Sequence, residues 1–190
     1  MRKVVISGEG GQGVRVISHG LATLLANLGY VVSLLYDYDS AVRGAMSVAY
    51  LTWDKEPIDN PVIHDADILL KLSDKAKGLH AKKTVCQTGY CTEEEIPFGK
   101  LGTEKFGREI FGNMIALGRL MALIDVDASE EELARILPLK YREENLSAVQ
   151  FGYHLKQEDL ERGSHSRKKH EFDFSSKQPG ELEMEAENHA

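Results

Sequence analysis

The sequence predicts an α/β protein: a three-layer α/β/α, Rossmann-like domain built on a mostly parallel sheet. Three observations carry that prediction. Apolar runs of strand length recur at residues 4–6, 31–36, 47–52, 66–72 and 83–86. The first run stops at a glycine cluster, and an apolar stripe with helical spacing follows it. Strand and helix patterns alternate at short intervals, which is the signature of layered α/β architecture.

Each element has a local reason. Val4, Val5 and Ile6 form a continuous apolar run, as expected of a strand buried on both faces. Val14, Ile17, Leu21, Leu24, Leu25 and Leu28 then recur at helical spacing, and Gly29 stands at the usual C-terminal stop. Residues 31–36 read as a second strand. A strand, loop, helix and strand in so short a span imply a right-handed crossover, with the two strands paired in parallel.

Residues 47–52 read as a strand and 54–57 as a turn, and 66–72 and 83–86 supply two further strands. The stretch 87–110 is punctuated by glycines and reads as irregular. A helix is expected over 113–123, where Ala116, Gly118 and Ala122 make a small-residue face. Such a face suits close packing either inside the domain or against another subunit. Ser129 followed by Glu132 is a capping box that opens a helix through Leu137. The last helix is expected over 145–155. The periodic pattern ends near residue 156, so the chain divides into a domain, 1–156, and a polar extended or disordered C-terminal tail, 157–190.

Composition narrows the function. The chain has 190 residues, 42% of them hydrophobic and 28% charged, with a net charge of −7. An acidic balance disfavours nucleic acid as a partner. No apolar run reaches the length of a membrane helix, and a cytoplasmic location is expected. Cys86 and Cys91 are the only cysteines. They are expected to be ordinary thiols, and two cannot supply the four thiolates of an iron–sulfur cluster. The seven histidines form no recognisable ligand or catalytic cluster, and no catalytic residue or metal ligand is assigned.

The chemistry concentrates in two loops. Gly8, Gly10, Gly11, Gln12 and Gly13 belong to the stretch Gly-Glu-Gly-Gly-Gln-Gly, which lies between the first strand and first helix. Glycines there permit a tight turn and let backbone amides approach an anion at the positive end of a helix. A nucleotide phosphate is the natural occupant, and a bare turn is the alternative. No Gly-Lys-Ser/Thr follows, so the loop is not a Walker A motif. Asp37 ends the second strand and keeps an NAD(P)-binding reading open. Arg43 and Gly44 lie in the next loop, where the arginine could clamp phosphate or carboxylate.

Taken together, these motifs resemble the gamma subunit of the 2-oxoacid:ferredoxin oxidoreductases, the pyruvate/ketoisovalerate group. The glycine loop, Arg43-Gly44-x-x-Ser47, Glu56-Pro57-Ile58, the helix from Asn113 to Gly118 and Asn145-x-x-Ala148-x-x-x-Gly152 occur in the family's order, over residues 3–156. Where the family has Arg-Gly-Gly, this chain has Arg43-Gly44-Ala45.

The resemblance implies an accessory subunit of a complex that oxidatively decarboxylates a 2-oxoacid to an acyl-coenzyme A. It implies thiamine diphosphate in alpha and beta subunits, and iron–sulfur clusters in a ferredoxin-like subunit or elsewhere in the complex. For this chain it implies coenzyme A contact by Gly8, Gly10, Gly11, Gln12, Gly13, Arg43 and Gly44. A free-standing NAD(P)-binding protein and a non-catalytic interaction domain are the alternatives.

Overall fold

The computed structural model of the chain describes residues 1–38, 46–74 and 78–156. The expected tail, 157–190, lies outside the described residues. Strands β1 (Arg2–Glu9), β2 (Val31–Tyr38), β3 (Met46–Asp54), β4 (Ala66–Lys71), β5 (Ala81–Gln87) and β6 (Glu94–Ile96) form one sheet in the order β2-β3-β1-β4-β5-β6. The helices are α1 (Val14–Asn27), α2 (Phe98–Phe106), α3 (Gly112–Leu123), α4 (Glu130–Ile136) and α5 (Arg142–Tyr153). A 3-10 turn, Glu109–Phe111, leads directly into α3.

The class is α/β and the sheet is mostly parallel. β1, β4, β5 and β6 pair in parallel. β3 is the exception, antiparallel to both β1 and β2. The direct parallel pairing of the first two strands expected from the sequence is therefore replaced. β1 and β2 do run in the same direction, but β3 lies between them. A buried apolar strand reads the same in either direction, so its pattern could not reveal the insertion.

Val4 and Ile6 of β1, Ala49, Leu51 and Trp53 of β3, and Ile68 and Leu70 of β4 join one core with buried residues of all five helices. Residues of opposite parity, Val5, Val48 and Leu69, form a small second cluster with Ala66. Ile63 and Leu79 from the connections pack against it. Among the described residues, the helices pack on the first cluster and the connections on the second.

Two helices meet unusually closely. A Cβ on Gly118 of α3 would overlap the Val149 carbonyl of α5, and one on Gly152 would overlap the Ile115 carbonyl. The small-residue face expected on α3 is therefore an internal helix–helix contact. Asn145, buried at the start of α5, donates from Nδ2 to the carbonyls of Pro138 (3.2 Å) and Lys140 (2.9 Å). It thereby pins the turn that precedes its own helix.

Two local expectations are corrected. Residues 87–110 are not irregular: they contain β6 and α2, short elements that weak periodicity concealed. Nor are the cysteines free thiols. Cys86 and Cys91 form a disulfide, with Cα atoms 5.9 Å apart. Composition alone carries no information on pairing geometry.

Candidate functional site

The glycine loop turns β1 into α1 at the C-terminal edge of the sheet. Its glycines have two different jobs. Gly8 and Gly13 are packed. A Cβ on Gly8 would lie 2.9 Å from Val14 Cγ2 and 3.3 Å from Leu72 Cβ. Gly13 caps α1 with φ +78°, and a Cβ there would overlap the side-chain amide of Asn113. Gly10 and Gly11 are open: a Cβ on either would meet nothing within 4 Å. Gly11 also has φ +96°.

Hydrogen bonds hold this shape. Gln12 Oε1 accepts from the Glu9 amide (2.7 Å), and the Gln12 amide donates to the Glu9 carbonyl (3.0 Å). Ser73 Oγ donates to Glu9 Oε1 (2.9 Å), and the Leu72 amide donates to the Ser7 carbonyl (2.8 Å). The loop is thus fastened to the end of β4. Gln12 acts first as a strut of the loop, with its acceptor oxygen committed internally. Helix α1 has no acidic residue in its first turn and no side-chain cap, so its amino end keeps backbone donors and positive dipole character for an outside acceptor.

A cleft of about 480 Å3 opens beside the loop, and Gly11, Gln12, Leu72, Gln87, Tyr90 and Asn113 are among its walls. It lies beyond the carboxyl ends of the parallel strands β1, β4 and β5, the usual ligand position in open α/β sheets. Of the expected site residues, Gly11 and Gln12 line it, while Gly8 and Gly13 shape it from behind. Asn113 was not among the expected binding residues, although its helix was recognised. Contact with Gly13 across a long sequence separation is what brings it here. Among the described residues the cleft walls contain no lysine or arginine, and Glu109 is one of them. The described walls therefore offer an anion no cationic side chain.

Arg43 and Gly44 lie outside the described residues. The next described residues, Met46 and Ser47, pair with Glu9 and Gly8. Asp37 stands differently. It pairs with Val48 on β3, so it is two strand spacings from β1, roughly 9.6 Å. The dinucleotide arrangement places its acid on the strand next to β1.

Behind the cleft, Glu94 of β6 accepts from Arg119 Nε (2.7 Å) and pairs with Lys83 Nζ (3.0 Å). Burial alone would raise its carboxyl pKa. Hydrogen bonds and charge from Arg119 and Lys83 outweigh that and hold it below the ordinary value. This cluster ties β5, β6 and α3 together and supports the cleft wall. Among the described residues, no group of three His, Cys, Asp or Glu side chains is placed to hold a metal ion. No helix there is long and apolar enough to cross a membrane.

An open α/β sheet with a glycine loop at the first strand-to-helix turn, and a cleft over its carboxyl edge, is the arrangement in which α/β domains commonly hold ligands. Comparison with known proteins narrows this. The family model described as pyruvate ferredoxin/flavodoxin oxidoreductase matches residues 3–155, and the chain belongs to that family.

Among its relatives is the 2-oxoglutarate synthase subunit KorC of Methanothermobacter marburgensis. That subunit is 31% identical, over 82% of this chain and 97% of the relative. The subunit of the same name from Archaeoglobus fulgidus is 28% identical, over 79% of this chain and 85% of the relative. Among solved structures, the gamma subunit of a keto/oxoacid ferredoxin oxidoreductase from Geobacter sulfurreducens superposes with a TM-score of 0.66 at 24% identity, covering 80% of this chain and 94% of that one. A 2-oxoglutarate:ferredoxin oxidoreductase from Magnetococcus marinus, solved with 2-oxoglutarate, coenzyme A and succinyl-CoA bound, superposes with a TM-score of 0.64 at 20% identity. It covers 80% of this chain and 30% of that longer one.

Proposed function

We propose that the chain is the gamma subunit of a cytoplasmic, multi-subunit 2-oxoacid:acceptor oxidoreductase, and that its glycine-loop cleft receives the phosphates of coenzyme A. One observation carries the ligand reading. Gly11 presents bare backbone at the cleft and Gly10 beside it meets open space, while Gly8 and Gly13 are consumed by packing. Gly11 is needed by the turn at φ +96°, whereas Gly10 is required neither by packing nor by a positive φ. The names of the relatives support the complex, and 2-oxoglutarate is the first oxoacid to test.

In this reading the amides of Gly10, Gly11 and Gly13 and the amino end of α1 bind phosphate, and Arg43 supplies the cation that the described walls lack. Gln12 holds the loop open through Glu9, and Asn113 keeps Gly13 in place. Coenzyme A supplies the thiol that accepts the acyl group. Thiamine diphosphate and the iron–sulfur clusters belong to the alpha, beta and ferredoxin-like subunits. The two cysteines here are bonded to each other, so they offer no thiolate for a cluster. The NAD(P) reading loses its main support, because β3 separates Asp37 from the glycine loop.

Native purification with mass spectrometry of the partner chains tests the subunit assignment. In the assembled enzyme, Arg43→Ala is expected to raise KM for coenzyme A roughly 10- to 150-fold, the effect of losing one charge-assisted contact. Oxoacid decarboxylation should stay near normal. An unchanged KM in a normally assembled complex would remove Arg43 from the site.

A further inference from the structure

The disulfide lies where a global staple would do least. Cross-links across short loops restrict the unfolded chain least, and Cys86 and Cys91 are only five residues apart. The turn they close carries Gln87 and Tyr90, two walls of the cleft. The turn is otherwise held lightly. The Tyr90 amide donates to the Gln87 carbonyl (3.2 Å), Lys71 Nζ donates to the Tyr90 carbonyl (3.1 Å), and Gly89 adopts φ +94°. β6, which follows, is three residues long and pairs with β5 beside the bond, Cys86 against Glu95. The two sulfurs differ in access: Cys86 is fully buried, whereas Cys91 is partly exposed.

We propose that Cys86–Cys91 is a thiol–disulfide exchange site that opens in the folded chain and sets the geometry of the cleft wall. The partner is a dithiol reductant, small or protein-borne. Its thiolate attacks Cys91 Sγ, forming a mixed disulfide and breaking the bond to Cys86, which leaves as a thiolate and takes up a proton. The reductant's second thiol then displaces Cys91 and closes its own disulfide. Two electrons pass to the chain, and two protons end on its cysteines. Reduction releases the covalent tie on the turn from Gln87 to Cys91, while Glu94 of β6 keeps its ties to Arg119 and Lys83, and so loosens the Gln87–Tyr90 wall. The effect on ligand rests on the coenzyme A reading above, but the exchange itself does not.

The test uses the full chain under native conditions. Dithiothreitol followed by alkylation is expected to add two labels per chain by mass spectrometry, with none before reduction and with circular dichroism unchanged. Amide hydrogen exchange over residues 87–96 is expected to rise at least tenfold on reduction. A bond that resists reduction until the chain unfolds would overturn the proposal. So would reduction that leaves exchange over 87–96 unchanged.

Acetyl-CoA, which lacks a free thiol, then serves as the binding probe. It is expected to bind at least threefold more weakly to the reduced chain and to a Cys86→Ser/Cys91→Ser variant. Equal binding to both redox forms would overturn control of the cleft. Binding to neither form would sink the coenzyme A reading, while the labelling and exchange results still decide the switch.

Discussion

Gly118 and Gly152 form a reciprocal contact: each stands against a backbone carbonyl of the other's helix, Val149 for Gly118 and Ile115 for Gly152. Both clashes a side chain would produce are with backbone, which cannot rotate away. Gly118→Ala or Gly152→Ala is therefore expected to force α3 and α5 apart, at a cost of about 1–3 kcal/mol. For a chain of this size that lowers Tm by roughly 2–12 °C. Thermal unfolding of the isolated chain measures it. A wild-type Tm would show that the helices are not in close contact.

Asn145 satisfies two backbone carbonyls from a buried position. Asn145→Ala leaves both without their donor and is expected to cost about 1–3 kcal/mol. Asn145→Asp separates packing from hydrogen bonding. Above the ordinary aspartate pKa of about 3.9 it sets carboxylate oxygens against carbonyl oxygens, and below it one donor returns. Relative to wild type, the Asp variant should be least impaired at acidic pH. Urea unfolding at pH 3.5 and pH 7 distinguishes the two; an equal deficit at both would sink the donor role.

On the proposed function the glycine loop divides into positions for folding and positions for ligand. Gly13→Ala meets Asn113 and must hold φ +78°, a conformation that costs a residue with Cβ about 1–2 kcal/mol before the clash is counted. Gly10→Ala meets open space, so stability should stay within about 0.5 kcal/mol of wild type, while the methyl group intrudes on ligand. In the assembled enzyme Gly10→Ala should raise KM for coenzyme A without loss of Tm. A drop in Tm with unchanged KM would reverse the division.

Glu94 makes acid stability measurable. Its pKa is depressed in the folded chain by Arg119 and Lys83, against the effect of burial. The folded state therefore binds fewer protons there than the unfolded state near the carboxylate range. Its contribution is complete above the unfolded glutamate pKa and is lost as pH falls through the folded value. Glu94→Gln should destabilise the chain at pH 7 and flatten the acid limb of its stability curve. Denaturant midpoints from pH 7 down to pH 3 give that slope. A parallel curve for the variant would mean that Glu94 is not coupled to the two cations.

Local signals were legible where one short segment decides the outcome. Ser129 and Glu132 form the capping box that their spacing announces, with Glu132 Oε2 accepting from the Ser129 amide at 2.8 Å. Gly29, at φ +79°, ends α1 as its position implied. The hidden features depend on partners distant in sequence. β3 enters between β1 and β2 because of register with Glu9 and Tyr38, and neither residue marks its own neighbour. Asn113 reaches the site through contact with Gly13. β6 and α2 are too short for periodicity to stand out, and the support of β6 comes from Lys83, Arg119 and the Cys86–Cys91 bond.

The central place of β1 has a consequence for synthesis. β1 is an interior strand whose two neighbours follow it in the chain and are made later: Val4 pairs with Leu51 on one side and with Ile68 on the other. A nascent chain that ends before β4 therefore carries Val4, Val5 and Ile6 with one ladder edge unpaired, which is an aggregation-prone intermediate. Non-local pairing of this kind slows folding. The domain is expected to close only after Ala66–Lys71 has cleared the exit tunnel, and a chaperone that shields the amino-terminal strand until then should raise the yield of soluble chain.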